Sequence, residues 1–299
     1  MALPGRLSPA EMFPAGRPEL RARFLDLDSG LRVRAAECGD AGAPLVLMLP
    51  GWGCSAYVFR ENLAALAAAG FHAVAVDLKG HGLSDKPQSP AEYRLEPMGA
   101  HVVEILDALE ADEAMLAGLS MGGALAAHVG ADDPRRVRGV IMVSPVGFSG
   151  VRGLRIIRAL TPRSVASFLP KVPGRAVIKR VLSVVNGKLR LITERDVDEY
   201  WAPTQFPEFS RAMRHLLHEF TWRAPFRPLA MPTLMISGTR DRLTSRSDPE
   251  AFRRTMPALA HIAVQDAGHV VLDEAAPLVN EAMIDFFRNA TAGRGKRTR

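Results

Sequence analysis

The chain has 299 residues, 47% hydrophobic and 23% charged, which suits one large globular domain or two ordinary ones. Two cysteines, Cys38 and Cys54, exclude a disulfide framework, so a reducing, cytoplasmic setting is expected. The net charge of +6 is local: residues 151–190 hold ten Lys or Arg and no Asp or Glu, and the stretch after Ala292 adds four more, leaving the remainder acidic.

Residues 1–19 contain Pro4, Pro9, Pro14 and Pro18 and no apolar run of seven, which does not fit a signal peptide and predicts an extended arm. Residues 21–27 and 31–37 alternate in polarity and meet at Asp28-Ser29-Gly30, the spacing of an antiparallel hairpin at a sheet edge. Short apolar runs follow at 44–49, 71–77, 113–119, 138–144, 232–238 and 261–266, and these predict buried strands. Helical patterns lie between them at 57–69, 97–110, 121–132, 249–256 and 276–289. Strands alternating with helices imply right-handed crossovers and a mostly parallel eight-stranded sheet covered on both faces. The alternation stops after residue 144 and resumes near 231. The intervening stretch has helical periodicity broken by Pro162, Pro170, Pro173, Pro203, Pro207 and Pro225, and it predicts a helical cap inserted after the sixth strand. The expected division is therefore an arm at 1–19, an α/β catalytic domain from 20–147 and 228–290, a cap at 148–227 and a basic, solvated tail at 291–299. No run of 18 apolar residues exists, so no transmembrane helix is predicted.

The most informative segment is Gly118-Leu119-Ser120-Met121-Gly122. A predicted strand enters it and a predicted helix leaves it, the context in which G-x-S-x-G forms a sharp turn that presents the serine. Gly118 and Gly122 keep that turn free of clashes. A serine at its ordinary pKa is a weak nucleophile and needs a histidine base steadied by a carboxylate. Asp241 follows the strand at 232–238 and His269 follows the strand at 261–266, so Ser120, Asp241 and His269 all fall where strands end. Asp266, Asp273 and His81 are weaker candidates by position. An oxyanion would need two backbone N–H donors: Met121, directly after the serine, and Trp52, in the glycine-rich loop Gly51-Trp52-Gly53. Trp52 serves equally as a packing side chain, and Cys54 reads as a small apolar filler.

These residues resemble the α/β-hydrolase family, in particular its capped serine hydrolases. Leu49-Pro50-Gly51-Trp52-Gly53 is similar to the family's oxyanion loop, with Pro50 in place of the usual histidine. The stretch from Asp77 through Gly80, Gly82 and Ser84 to Pro87 is similar to its D-x-R-G-x-G-x-S-x-x-P segment, with Lys79 in place of the arginine. The resemblance implies the α/β-hydrolase fold, a site without cofactor or metal, and loop-stabilising roles for Asp77 and His81. It also implies that dehalogenase and epoxide hydrolase chemistry, which uses an aspartate at the elbow, is disfavoured by Ser120. The expected activity is hydrolysis of a small carboxylic ester with an apolar acyl or alkyl group, through an acyl-enzyme. Carbon–carbon bond hydrolysis, thioester hydrolysis and acyl transfer remain open on the same residues, as does a non-catalytic binding protein on this fold. The basic segment 151–190 interleaves Arg and Lys with Leu, Ile and Val. That pattern fits solvated helix faces, weak contact with an anionic membrane or an anionic substrate, and its near lack of aromatics argues against nucleic acid. Oligomeric state leaves no mark on the sequence.

Overall fold

The computed structural model describes residues 5–148, 150–161, 174–222, 226–244 and 248–292. Eight strands form one sheet: β1 (Arg21–Asp26), β2 (Arg32–Cys38), β3 (Leu45–Leu49), β4 (His72–Val76), β5 (Ala114–Leu119), β6 (Val137–Val143), β7 (Thr233–Gly238) and β8 (Ala260–Val264). Their order across the sheet is β1-β2-β4-β3-β5-β6-β7-β8. The hairpin pairs Leu25 with Val33 and turns through Gly30, whose φ of 80° favours glycine. β2 meets β4 antiparallel, and every pairing from β4 to β8 is parallel.

Two hydrophobic clusters cover the two faces. Leu47, Leu49, Val74, Val76, Leu116, Val140 and Met142 point to one, while Val46, Met48, Ala73, Ala75, Met115, Ile141 and Val143 point to the other. This alternation is why the central strands read as unbroken apolar runs: both sides of the pleat are buried. The helices α1 (Leu63–Ala68), α2 (Leu95–Ala108), α3 (Met121–Asp132), α4 (Leu154–Leu160), α5 (Arg175–Val185), α6 (Glu194–Trp201), α7 (Pro207–Glu219), α8 (Asp248–Thr255), α9 (Val271–Glu274) and α10 (Ala276–Ala292) complete the fold. None is long and apolar enough to cross a membrane.

Three expectations change in detail. The helix predicted at 57–69 is a 3-10 turn, Ala56–Phe59, followed by α1. Tertiary contacts intervene between the two: Arg60 reaches Asp273 at 2.5 Å and Asp196 at 3.1 Å, and Asn62 donates to Asn280 at 2.7 Å. Residues 5–19 are not an extended arm. They run through turns, bury Met12 and Phe13, and stack the Phe13 ring edge-on against Tyr57. The Phe13 amide donates to Glu199 at 2.8 Å, Gln205 to the Leu7 carbonyl at 2.8 Å and Arg195 to the Glu11 carbonyl at 2.7 Å, while Arg34 on β2 holds the Phe13 carbonyl. Two large apolar side chains cannot stay in water without cost, and their burial folds the segment down. At the other end α10 continues through Ala292, so residues 291 and 292 of the expected tail are helical, while 293–299 lie outside the described residues.

Between β6 and β7 the described residues hold α4 to α7 and no strand. A capping box starts α6, with Thr193 and Asp196 satisfying each other's backbone amides, and Pro207 opens α7. Arg163 and Lys171 of the basic segment lie outside the described residues.

Candidate active site

Where β5 gives way to α3, Ser120 takes φ 54° and ψ −112°, a strained conformation for a residue with a side chain. Its amide is held by the Val143 carbonyl of β6 at 2.8 Å. Side chains at the flanking positions are impossible: a Cβ on Gly118 would overlap the Gly122 backbone, and one on Gly122 would overlap the Leu49 carbonyl. The glycines are therefore what allow β5, the turn and α3 to pack this tightly against β3.

The segment after β7 shapes Asp241. Leu243 and Thr244 amides donate to Oδ1 at 2.8 and 3.2 Å, and the Thr244 hydroxyl donates to Oδ2 at 2.7 Å. His269 Nδ1 lies 2.8 Å from the same Oδ2, and both side chains are buried. Burial alone would raise the Asp241 carboxyl, but the neighbouring His269 and the bonds from Thr244 and Leu243 outweigh it and hold it below the usual carboxylate range. With Nδ1 donating to the carboxylate, Nε2 is the ring nitrogen left to take a proton. Ser120, Asp241 and His269 thus lie at the carboxyl ends of β5, β7 and β8. The Asp241–His269 pair is joined, whereas among the described residues no hydrogen bond links Ser120 Oγ to the imidazole.

The loop after β3 abuts the serine. A Cβ on Gly51 would come within 3.2 Å of Ser120 Cβ and 3.3 Å of the Leu119 carbonyl, and Gly53 takes φ 77°. Neither the Trp52 nor the Met121 amide donates to a carbonyl among the described residues. Met121, as first residue of α3, has no helical acceptor for its N–H. The Trp52 indole donates to the Met213 carbonyl of α7 at 3.0 Å and meets the Trp222 ring edge-on at 6.1 Å, so the loop and the helical insertion brace each other. Cys54, beside Gly51, has its thiol pushed up to about 11 by burial, which leaves it a neutral packing group.

The rival residues have other work. Asp77 is fully buried and accepts from the Ala56 and Leu83 amides at 2.7 and 2.8 Å, fastening the segment behind the Gly51 loop. Lys79 pairs with Glu92 at 2.8 Å. His81 is fully buried 3.3 Å from the Lys79 carbonyl, and burial pushes its pKa down to about 4. Asp266 pairs with Arg240, and Asp273 with Arg60 and Arg190.

Two contributors escaped the sequence reading. Thr244 braces Asp241, and its only local signal is a D-x-x-T spacing. The second is Glu274 on α9, whose carboxylate forks: Oε1 accepts from the Gly268 amide at 2.8 Å and Oε2 from the Gly187 amide at 2.7 Å. Beside it the His269 amide donates to the Val185 carbonyl at the end of α5 at 2.8 Å. The histidine loop and the insertion therefore meet backbone to backbone, with no room for a Cβ on Gly187 or Gly268. Burial raises the Glu274 carboxyl above its ordinary value despite these two donors.

The profile of the alpha/beta hydrolase family matches residues 46–282. The chain is 24% identical over 289 residues to the AB hydrolase superfamily protein YfhM of Bacillus subtilis, covering 90% of this chain and 99% of that protein. It is 36% identical over 100 residues to epoxide hydrolase A of Mycobacterium tuberculosis, covering 33% of this chain and 31% of that enzyme. Among solved structures, a bacterial membrane phospholipase A described as a virulence factor superposes with a TM-score of 0.78 at 22% identity, covering 91% of this chain and 87% of its own.

Proposed function

The chain belongs to the alpha/beta hydrolase family, and on that footing we propose that it is a serine hydrolase cleaving carboxylic esters through an acyl-enzyme. The observation that carries the reading is the 2.8 Å contact of Asp241 with His269 at the sheet edge where the strained elbow presents Ser120. An aspartate at the elbow would attack an alkyl carbon. A serine hydroxyl needs an acyl carbon and a base to take its proton, and both the hydroxyl and the base are here.

In this reading Ser120 Oγ attacks the ester carbonyl while its proton passes to His269 Nε2, and Asp241 stabilises the imidazolium that results. The Trp52 and Met121 amides hold the developing oxyanion. Collapse expels the alcohol, which takes the proton from His269. Water then attacks the acyl-enzyme with His269 again as base, releasing the acid and restoring Ser120. No step calls on a metal or an organic cofactor. The insertion serves as a cap over this edge, and Trp52, partly exposed and stacked edge-on against buried Trp222, supplies an apolar surface for the acyl or alkyl group.

The test pairs a fluorophosphonate probe with a panel of p-nitrophenyl esters, thioesters and styrene oxide. The wild type is expected to label and to hydrolyse esters, and Ser120→Ala is expected to do neither. Labelling that survives in Ser120→Ala, or turnover of the epoxide without turnover of any ester, overturns the proposal.

A further inference from the structure

Seven of the ten large apolar side chains exposed among the described residues fall between positions 156 and 191, in the segment without acidic residues. Helix α5 concentrates them. Val177, Val181 and Val184 are 53%, 50% and 37% exposed and, with exposed Arg180, occupy positions i, i+3, i+4 and i+7 of one face. Beyond the helix end, Lys188, Leu189 and Leu191 are also exposed. The opposite face of α5 is already satisfied. Arg175 pairs with Glu194 and Asp198, Lys179 pairs with Glu194, and Leu182 is buried. A helix docked only for packing would turn its valines inward. This one turns its paired cations inward and leaves its valines in water, among Arg180 and Lys188, which have no acidic partner among the described residues.

We propose that the outer face of α5 is a docking surface for an anionic lipid bilayer. An apolar stripe bordered by cations is the arrangement that sinks into the headgroup layer, with the valines entering the acyl boundary and the cations meeting lipid phosphates. Charge complementarity selects this occupant: the face offers positive charge and no acid to repel a phosphate. The end of the same helix holds the histidine loop through the Val185 carbonyl and the Glu274 fork, so a docked α5 would set the candidate active site at a fixed height over the bilayer. This inference goes beyond the proposed reaction and does not depend on which acyl bond is cleaved.

The test is co-sedimentation of the full chain with large vesicles of phosphatidylglycerol or of phosphatidylcholine, at low and at physiological salt. The wild type is expected to partition onto phosphatidylglycerol and to lose part of that binding with added salt, as screened charge pairs do. Arg180→Glu is expected to weaken it about tenfold or more, the consequence of reversing one cation near an anionic surface. The double change Val177→Asp and Val181→Asp is expected to remove it. Both variants alter exposed positions and should keep wild-type circular dichroism and rates on a soluble short-chain ester. Equal sedimentation with and without anionic vesicles overturns the proposal. So does binding untouched by the substitutions, or a concentration-dependent dimer that the Val177→Asp and Val181→Asp changes abolish in the absence of lipid.

Discussion

Replacing Gly187 with Ala tests how the insertion positions His269, the base of the proposed reaction. The backbone of Gly187 is not in a left-handed conformation, so alanine introduces no intrinsic strain there, and the whole effect is the added methyl. That methyl would overlap the Gly268 amide and come within 2.5 Å of the Asp266 carbonyl and 2.7 Å of Glu274 Oε2. The first two are backbone atoms of the loop leading into His269, so the loop or the end of α5 has to retreat by about 1 Å to restore ordinary contact. Overpacking of this kind costs about 1–3 kcal/mol, or a melting temperature lower by about 2–5 °C in a chain of this size. Misplacing a catalytic group by about 1 Å costs on the order of 100-fold in rate. Steady-state kinetics on a p-nitrophenyl ester should therefore show kcat falling far more than KM rises. Gly174→Ala, at the other end of α5, adds a methyl that meets nothing within 4 Å and serves as the control. A Gly187→Ala protein with wild-type kcat and melting temperature would refute the claim that the two backbones are locked together.

Asp241→Asn should keep the fold but lower kcat by about 10⁴-fold, because an amide cannot hold His269 in the tautomer that leaves Nε2 free or stabilise its cation. Ester kinetics after active-site titration would measure it, and a loss below tenfold would remove Asp241 from the reaction. A second experiment concerns pH and stability. His81 has a folded pKa near 4 against about 6.5 in the unfolded chain, so between these values the unfolded state binds the extra proton and stability falls as pH falls. From pH 7 to 4.5 this one group should withdraw about 2–3 kcal/mol, and His81→Asn should shrink the difference between the unfolding free energies from urea titrations at the two pH values by that amount. Parallel pH profiles for variant and wild type would show that His81 is not buried in its neutral form.

The alternation of strand and helix was legible because both faces of the sheet are covered. Burial on both sides turns β3, β4 and β5 into unbroken apolar runs that stand out between turn residues. The strand-end positions of Ser120, Asp241 and His269 were legible for a related reason, since locating the strands locates the loops that follow them. What stayed hidden depends on approach in space. Nothing near Glu274 in the chain announces that it will bind an amide 87 positions away, and Gly187 looks like an ordinary loop glycine until Gly268 is packed on it. The prolines of the first 19 residues pointed to extension, yet Met12 and Phe13 had a buried surface to join that only the folded chain supplies. The split of the helix predicted at 57–69 has the same origin, since Arg60 and Asn62 answer to partners more than 130 positions along the chain.

Residues 5–19 clasp the sheet through Arg34 and the insertion through Glu199, Arg195 and Gln205. Helix α6 is stitched down again where Asp196 meets Tyr57 at 2.8 Å and Arg60 at 3.1 Å. With its α6 margin sewn to the body and the tail of α5 fastened at Gly187, the insertion cannot swing aside as one rigid door. In the proposed reaction, any movement that admits an ester to Ser120 would have to leave both fastenings in place.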